Sequence, residues 1–438
     1  MKKVLATAVA LALAGFTGNA FAITDNEANA SLPYSFANPG ARALGMAGAF
    51  LGLADDASAA YTNPAGLTQL VSPEVSAELR SERTDTRWLD GGNVQFNAFN
   101  DGGLNYSSQN DTSTSLRSFS FVYPSERISF AFYRYELVNY DSDFQSEGAI
   151  WTTGDGSGIN GSIFAYDVST SFDVETYGAA MGIKATDSLS FGLGINYYRL
   201  DINSVTDRFL VDGALDGTLT GDAVNREANF DGDGRFGFTL GARFAANDWL
   251  SIGASYRRAP ELGYDAVLSA PTTTDTLTRD TGLDVPDVFG VGFSIRPSES
   301  WVINFDVNRV FYSDVTDDLT SVFDANQALD LEPLKLDDGT EVHLGAEYTF
   351  ATAHPFSLRA GIWRDPAHEL VYRGTPPNID LSVNNVPANA ATFAAGRDDA
   401  QTHIAIGAGM AFEKFQIDLG ADFSDTVDIL SMSGVFRF

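Results

Sequence analysis

The chain contains no cysteine, which excludes a disulfide framework and any thiolate-ligated metal. It has only 4 histidines in 438 residues, too few to suggest a histidine-rich metal site. Basic residues are scarce: 27 Lys and Arg face 58 Asp and Glu, a formal charge of −31. Removing Lys2 and Lys3 with a leader gives 25 − 58 = −33 for the remainder. Such a chain is a poor partner for nucleic acid, because binding there depends on Lys and Arg neutralising phosphates. Beyond the N-terminus no apolar run approaches the roughly 18 residues of a membrane helix. No G-x-S-x-G elbow and no H-E-x-x-H pair is present, so an enzyme reading has little support and no cofactor is expected. His343 and His403 fall on separate alternating segments and are expected as lumen polar groups rather than half of a Ser–His pair. Asp231-Gly232-Asp233-Gly234 lacks the other ligands of a calcium loop and reads as a turn.

What is present is alternation. Leu430, Met432, Phe436 and Phe438 share one parity at the C-terminus, with Ser431, Ser433 and Arg437 on the other. Strands send successive side chains to opposite faces, so this segment has an oily face and a polar one. The pattern recurs at Leu189 to Tyr198, Arg235 to Phe244, Leu250 to Arg257, Phe289 to Arg296, Val342 to Phe350 and Phe415 to Phe423. With 44 % hydrophobic and 12 % aromatic residues, the chain is not globally disordered. An oily face outward and a polar, glycine-rich face inward is the pattern of an outer-membrane barrel. Short turns near residues 124–127, 185–188, 245–248, 297–300, 351–355 and 413–414 alternate with longer polar connectors near 87–114, 141–171, 206–232, 267–284, 315–339, 371–399 and 424–427. Six turns and seven connectors join about fourteen antiparallel strands in an all-β transmembrane barrel over residues 73–438.

Lys2 and Lys3, the apolar run Val4 to Phe16 and Ala20-Phe21-Ala22 form a secretory signal, so residues 1–22 are expected to be removed. The destination is the outer membrane of a bacterium. The acid-rich connectors are expected to be solvated surface, or to meet phosphorylated outer-membrane lipids through bridging cations. Residues 23–72 do not alternate. They are rich in Ala and Gly, and Asn63 before Pro64 suits a helix cap followed by proline at the first helical position. A small helical segment of this kind is expected to plug the lumen as a hatch.

Ala54-Asp55-Asp56-Ala57, five residues, then Asn63-Pro64-Ala65 resembles the N-terminal hatch of FadL-type long-chain fatty acid transporters. Gly237 to Arg258, Val285 to Ser313, Leu358 to Gly361 with Asp365-Pro366, and Asp398 to the C-terminus resemble further blocks of that family, in order. The resemblance implies a fourteen-stranded barrel with an N-terminal hatch, and passive uptake of a hydrophobic compound. A long-chain fatty acid is the expected cargo, aromatic hydrocarbons the alternative, and a structural or secretion-partner barrel a third reading. It also implies insertion by the barrel-assembly machinery. A carboxylate cargo needs a lumen cation, best an arginine. Arg80, Arg235, Arg257 and Arg359 lie on inward parity, together with Arg243. Asp55, Asp56, Asn63, Pro64 and Ala65 are the hatch motif. Ile128, Phe130 and Phe132 share a parity that would carry Arg134 into lipid. A bulge at Phe132, Tyr133 and Arg134 would avoid this. The resembled family has a kink in its third strand that opens the wall, so the same residues are the expected lateral gate.

Overall fold

The computed structural model describes residues 20–21, 36–95, 104–152, 159–163, 165–209, 223, 225–269, 276–317, 336–369 and 399–438. Fourteen antiparallel strands close into a barrel. They are β1 Glu74–Gln95, β2 Leu104–Tyr123, β3 Ile128–Ser146, β4 Ala165–Lys184 and β5 Leu189–Phe209. Three strands are interrupted: β6 comprises Asn225–Phe230 and Gly234–Asn247, β7 Leu250–Arg258 and Glu261–Ser269, β8 Thr276–Asp284 and Val288–Ser298. The rest are β9 Trp301–Val310, β10 Gly339–Phe350, β11 Phe356–Asp365, β12 Gln401–Ala411, β13 Phe415–Phe423 and β14 Val427–Arg437. β14 pairs back onto β1, from Glu74 opposite Arg437 to Thr84 opposite Val427. This pairing leaves no free sheet edge at the β1–β14 seam, where an unpaired backbone group facing lipid would cost several kcal/mol.

Alternation sets the two faces. Leu430, Met432 and Phe436 are exposed, and Ser431 and Ser433 are buried inward. The same split runs through Phe191, Leu193 and Ile195, and through Leu344, Ile404 and Ile406. The interruptions have local causes. Pro260 and Pro286 lack the N–H that a ladder requires, and both fall at breaks. In β6 the break is Asp231-Gly232-Asp233, where Asp231 has φ 59°. Asp233 binds both neighbouring strands there, accepting Leu200 N at 3.0 Å and donating to the Gly263 carbonyl at 2.9 Å. The Asp-Gly-Asp-Gly run is thus a kink within a strand.

On the outer side the strands run further than the apolar alternation suggests. β1 to β5 have 19 to 22 residues each, against about 9–11 needed to cross a bilayer. Residues 87–95 and 104–114, expected as connector, continue the ladder instead. Both faces are wet there, so Asp111-Thr112-Ser113-Thr114-Ser115 has β-compatible residues but no oily parity.

Residues 36–72 fill the lumen. They form helix α1 Ala41–Leu44, helix α2 Ala59–Thr62 and a 3-10 helix Pro64–Gln69, almost wholly buried. Asn63 caps the last of these: its side chain accepts from Ala65 N at 3.3 Å, and Pro64 opens the helix.

A clasp lies outside the membrane, after β11. His368 stacks on Tyr312 with ring centroids 4.6 Å apart and planes at 12°, and its Nε2 is 3.2 Å from Asp365 Oδ2. Burial opposes the charged ring, but the Asp365 carboxylate outweighs it and pushes the His368 pKa up to about 9. A raised folded-state value stabilises the charged clasp fully below the unfolded value of about 6.5, and that contribution is lost as pH rises through about 9. NMR titration of the histidine rings, with His368→Asn identifying the signal, is expected to give this midpoint. A midpoint near the ordinary value would show that Asp365 does not hold the ring.

Candidate functional site

The hatch fits because nine of the fourteen strands present glycine to it. Gly182, Gly192, Gly241, Gly253, Gly292, Gly345, Gly361, Gly407 and Gly420 form a belt on the inner face of β4 to β8 and β10 to β13. Many stand directly opposite one another: Gly182 with Gly192, Gly192 with Gly241, Gly253 with Gly292, Gly345 with Gly361, Gly407 with Gly420. A Cβ at Gly182 would lie 2.7 Å from the Pro64 carbonyl oxygen, and one at Gly361 2.7 Å from the Met46 carbonyl carbon. At Gly253 it would run into the Leu51 carbonyl oxygen, and at Gly345 into that of Met46. The inward glycines that alternation exposes are therefore a socket for the hatch backbone.

Polar side chains then tie the hatch to the wall. Asp306 accepts from Phe50 N at 2.6 Å and Leu51 N at 2.8 Å. Asn304 donates to the Ala49 carbonyl at 3.0 Å, and His343 Nδ1 lies 2.7 Å from the Ala47 carbonyl. Asn63 bridges hatch and wall, donating to the Leu51 and Ala242 carbonyls at 3.1 Å each. Arg42 joins Asp55 at 2.6 Å and Asp56 at 3.5 Å to Glu347 of β10 at 3.0 Å. The spacing of the hatch motif thus corresponds to two acids on one arginine and one bridging amide. Neither histidine meets a serine hydroxyl among the described residues: His343 faces Glu341 and Asn308, and His403 faces Asp422 at 2.5 Å.

The four candidate arginines have different surroundings. Arg80 is buried against Glu78 at 2.8 Å. Arg359 is held by Glu347 at 2.6 Å and Asp418 at 2.8 Å. Arg235 is half-exposed near the β6 kink and pairs with Asp233 at 3.1 Å. Arg257 is buried and, among the described residues, meets no carboxylate. Its guanidinium carbon lies 4.0 Å from the centroid of the Tyr61 ring, and its Nη1 donates to the Tyr61 hydroxyl. Tyr135 packs on Tyr61 at 4.4 Å and Tyr133 meets it edge-on at 5.9 Å. The Arg257 Nε has no hydrogen-bond partner among the described residues. Cation–π contact offsets only part of the several kcal/mol that burial of an ion costs. Tyr61 carries no sequence signal beyond its place next to Asn63, and its partner Arg257 is 196 residues away.

Beneath this cage a narrow crevice of about 30 Å³ runs along the lower hatch to β2 and β3, touching Ala60, Tyr61, Ser118, Tyr133 and Arg134. β2 and β3 pair through their backbones only from Ser118 opposite Tyr135 to Tyr123 opposite Phe130. Above that point β2 pairs with β1 and β3 with β4, but side chains alone join β2 to β3 among the described residues. Arg134 donates to the Leu116 carbonyl, and Arg117 donates to the Leu137 carbonyl at 3.2 Å. Ser115 bonds Glu136, and Gln109 reaches Ser142 Oγ at 3.0 Å and the Asp143 carbonyl at 2.9 Å.

The irregularity in β3 is not where parity places it. Phe132, Tyr133 and Arg134 stay in register with Ala179, Gly178 and Tyr177, and the shift falls between Glu136 and Val138, at Leu137. Arg134 keeps its outward parity because Glu136 at 3.0 Å and Glu175 hold its charge. Tyr133 and Tyr135 point inward to Tyr61. A charge that parity directs at lipid is neutralised across the sheet here, and no bulge is needed to turn it away.

A closed barrel with an oily outer belt and a plugged lumen defines an outer-membrane β-barrel. Residues 24–369 match the family described as outer membrane protein transport protein (OMPP1/FadL/TodX), and the chain belongs to that family. This is a family of transport proteins rather than enzymes, and it places the chain among FadL/TodX-type outer-membrane transporters of hydrophobic compounds. The fold is similar to that of a FadL homologue from Pseudomonas aeruginosa (14 % identity, 93 % of this chain and 99 % of that one, TM-score 0.64). It is also similar to the toluene transporter TbuX of Ralstonia pickettii (18 % identity, 92 % and 99 %, TM-score 0.57) and to the P. putida toluene transporter TodX (15 %, 87 % and 94 %, TM-score 0.56). No curated protein matches the sequence at a significant level.

Proposed function

We propose that this protein takes up long-chain fatty acids passively across the outer membrane. The mature chain follows a cleaved leader of residues 1–22, residues 23–72 act as the hatch, and cargo leaves sideways at the β2–β3 slit. Arg257 supports the fatty acid reading. A buried guanidinium without an acid leaves room for a charge-assisted bond to a carboxylate, which is shorter and stronger than a neutral one. A monoaromatic hydrocarbon would fill the tyrosine cage but offer Arg257 nothing. Arg80, Arg235 and Arg359 each already have an acid beside them, and Arg243 is only half-buried with Arg296 and Asp55 nearby, so Arg257 is the one assigned to the headgroup.

The test compares labelled oleate with labelled toluene, in cells lacking this protein and its relatives and supplied with wild type or Arg257→Met. Loss of a charge-assisted bond worth about 1.5–3 kcal/mol is expected to lower oleate uptake about tenfold or more. Toluene uptake stays the same. Toluene uptake without oleate uptake in wild type would favour the hydrocarbon reading. Uptake of neither would favour a structural role.

A further inference from the structure

Below the glycine belt the inner wall carries two arginines near each other. Arg243 lies two residues beyond Gly241 toward the short turn at 245–248, and Arg296 four residues beyond Gly292 toward the turn at 297–300. Outer-membrane barrels place such short turns on the periplasmic side. Arg257 lies four residues from Gly253 in the opposite direction, so the belt and the hatch separate it from this pair. Arg243 is half-buried and, among the described residues, has no hydrogen-bond partner; its Nε is shut off from solvent. The charged groups near it are Arg296 and Asp55. Asp55 already joins Arg42 at 2.6 Å and Arg296 at 3.3 Å. Arg42 has Asp56 and Glu347 besides, so Asp55 serves the other two guanidinium groups and one positive charge is left over.

The geometry points to a second anion site, open to the periplasm, in which Arg243 and Arg296 hold a carboxylate. A guanidinium binds a carboxylate through paired N–H donors, and the Arg243 Nε–H is one such donor with no acceptor among the described residues. β7 stands between the two arginines, and at this level it turns Gly253 and Ser251 inward, opposite Arg243 and Ser294. Small side chains there leave room for one ligand to touch both guanidinium groups. A donor shut off from water and unpaired is costly, and like charges nearby repel, so an anion relieves both. One surplus charge matches a monoanion, which favours a carboxylate over a phosphate dianion. The Arg296 side chain is 43 % exposed, so the ligand enters from solvent without passing the hatch. The site is independent of the assignment of Arg257 to the cargo headgroup. A carboxylate on an acyl chain and one on a small organic acid meet the same donors.

Purified full-length protein in dodecyl maltoside, with nitrogen-15 at arginine, reports each ordered Nε–H by NMR. Arg243→Lys identifies the Arg243 signal, and Arg243→Met does so should the first variant not fold. Octanoate is expected to move that signal saturably, in wild type and in Arg257→Met alike. Octanol, which lacks the carboxylate, is expected to leave it in place. Arg296→Met removes one of the two cations and is expected to weaken octanoate binding at Arg243 about tenfold, the equivalent of one charge-assisted hydrogen bond. Acetate distinguishes the sources. Equal affinity for acetate and octanoate identifies small organic acids as the ligands, and octanoate binding about tenfold tighter identifies acyl carboxylates; either result supports the carboxylate site. An Arg243 signal that octanoate does not move would overturn it. So would inorganic phosphate moving the signal at lower concentration than both carboxylates. A shift that disappears in Arg257→Met would show that the signal reports the outer site, and the second site would be wrong while the headgroup assignment stands.

Discussion

Gly253→Leu is expected to turn a closed barrel into a leaking one. The new Cβ would occupy the space of the Leu51 carbonyl oxygen. Neither side can yield cheaply. Leu51 is bonded through its N–H to Asp306 and through its carbonyl to Asn63. Gly253 lies in a strand paired on both sides, opposite Arg243 and Gly292. The hatch has fewer bonds than the wall, so the hatch is displaced and the lumen opens to water. In planar bilayers the variant is expected to show steady ion conductance, and cells carrying it should become sensitive to bulky antibiotics that the intact protein excludes. Gly434→Ala is the control: it lies on the lipid-facing parity with no atom closer than 3.9 Å to the added carbon. A Gly253→Leu barrel that folds and stays closed would show that the belt is not a socket.

Joining β2 to β3 is expected to abolish uptake. Ser115 and Glu136 touch across the slit, and the chain has no other thiol to interfere once both are changed to cysteine. The double variant removes the Glu136 carboxylate that binds Ser115, Arg134 and Arg117, so before treatment it should transport at least as fast as wild type. A short thiol-to-thiol crosslinker then replaces weak side-chain contacts with covalent bonds. Side-chain hydrogen bonds of this kind contribute about 0.5–3 kcal/mol net each, within reach of thermal opening, and a covalent bridge is not. Oleate uptake is expected to fall to background on crosslinking, while oleate binding in detergent persists. Uptake that continues through a fully crosslinked slit would place the exit on the periplasmic side of the hatch.

The oily parity of each strand was legible because lipid imposes it residue by residue: Leu430, Met432 and Phe436 face out as alternation requires. Asn63-Pro64 was legible because capping is local. What alternation could not show depends on distant partners. Arg134 looks like a misplaced charge until Glu175, 41 residues on, is seen beside it. The outer halves of β1 and β2 look like loop because water on both faces removes the signal that separates them. Inward glycines look like an empty lumen, when they mark where another segment's backbone lies. Among five inward arginines, parity cannot tell which lack an acid, since Glu347 and Asp418, which hold Arg359, come from two other strands.

The glycine belt also bears on how fast cargo moves once it is released. When the hatch shifts, much of the surface it uncovers is glycine backbone, with the side chains of Asn304, Asp306, His343 and Glu347 beside it. An acyl chain gains about 25 cal/mol for each Å² of apolar surface it hides, and bare amides offer little to hide against. The stretch of wall below Arg257 is therefore slippery: it gives a hydrocarbon tail no resting place. On the proposed route, retention would belong to the arginine and the tyrosines, and transit beyond them would be low-friction sliding toward the slit.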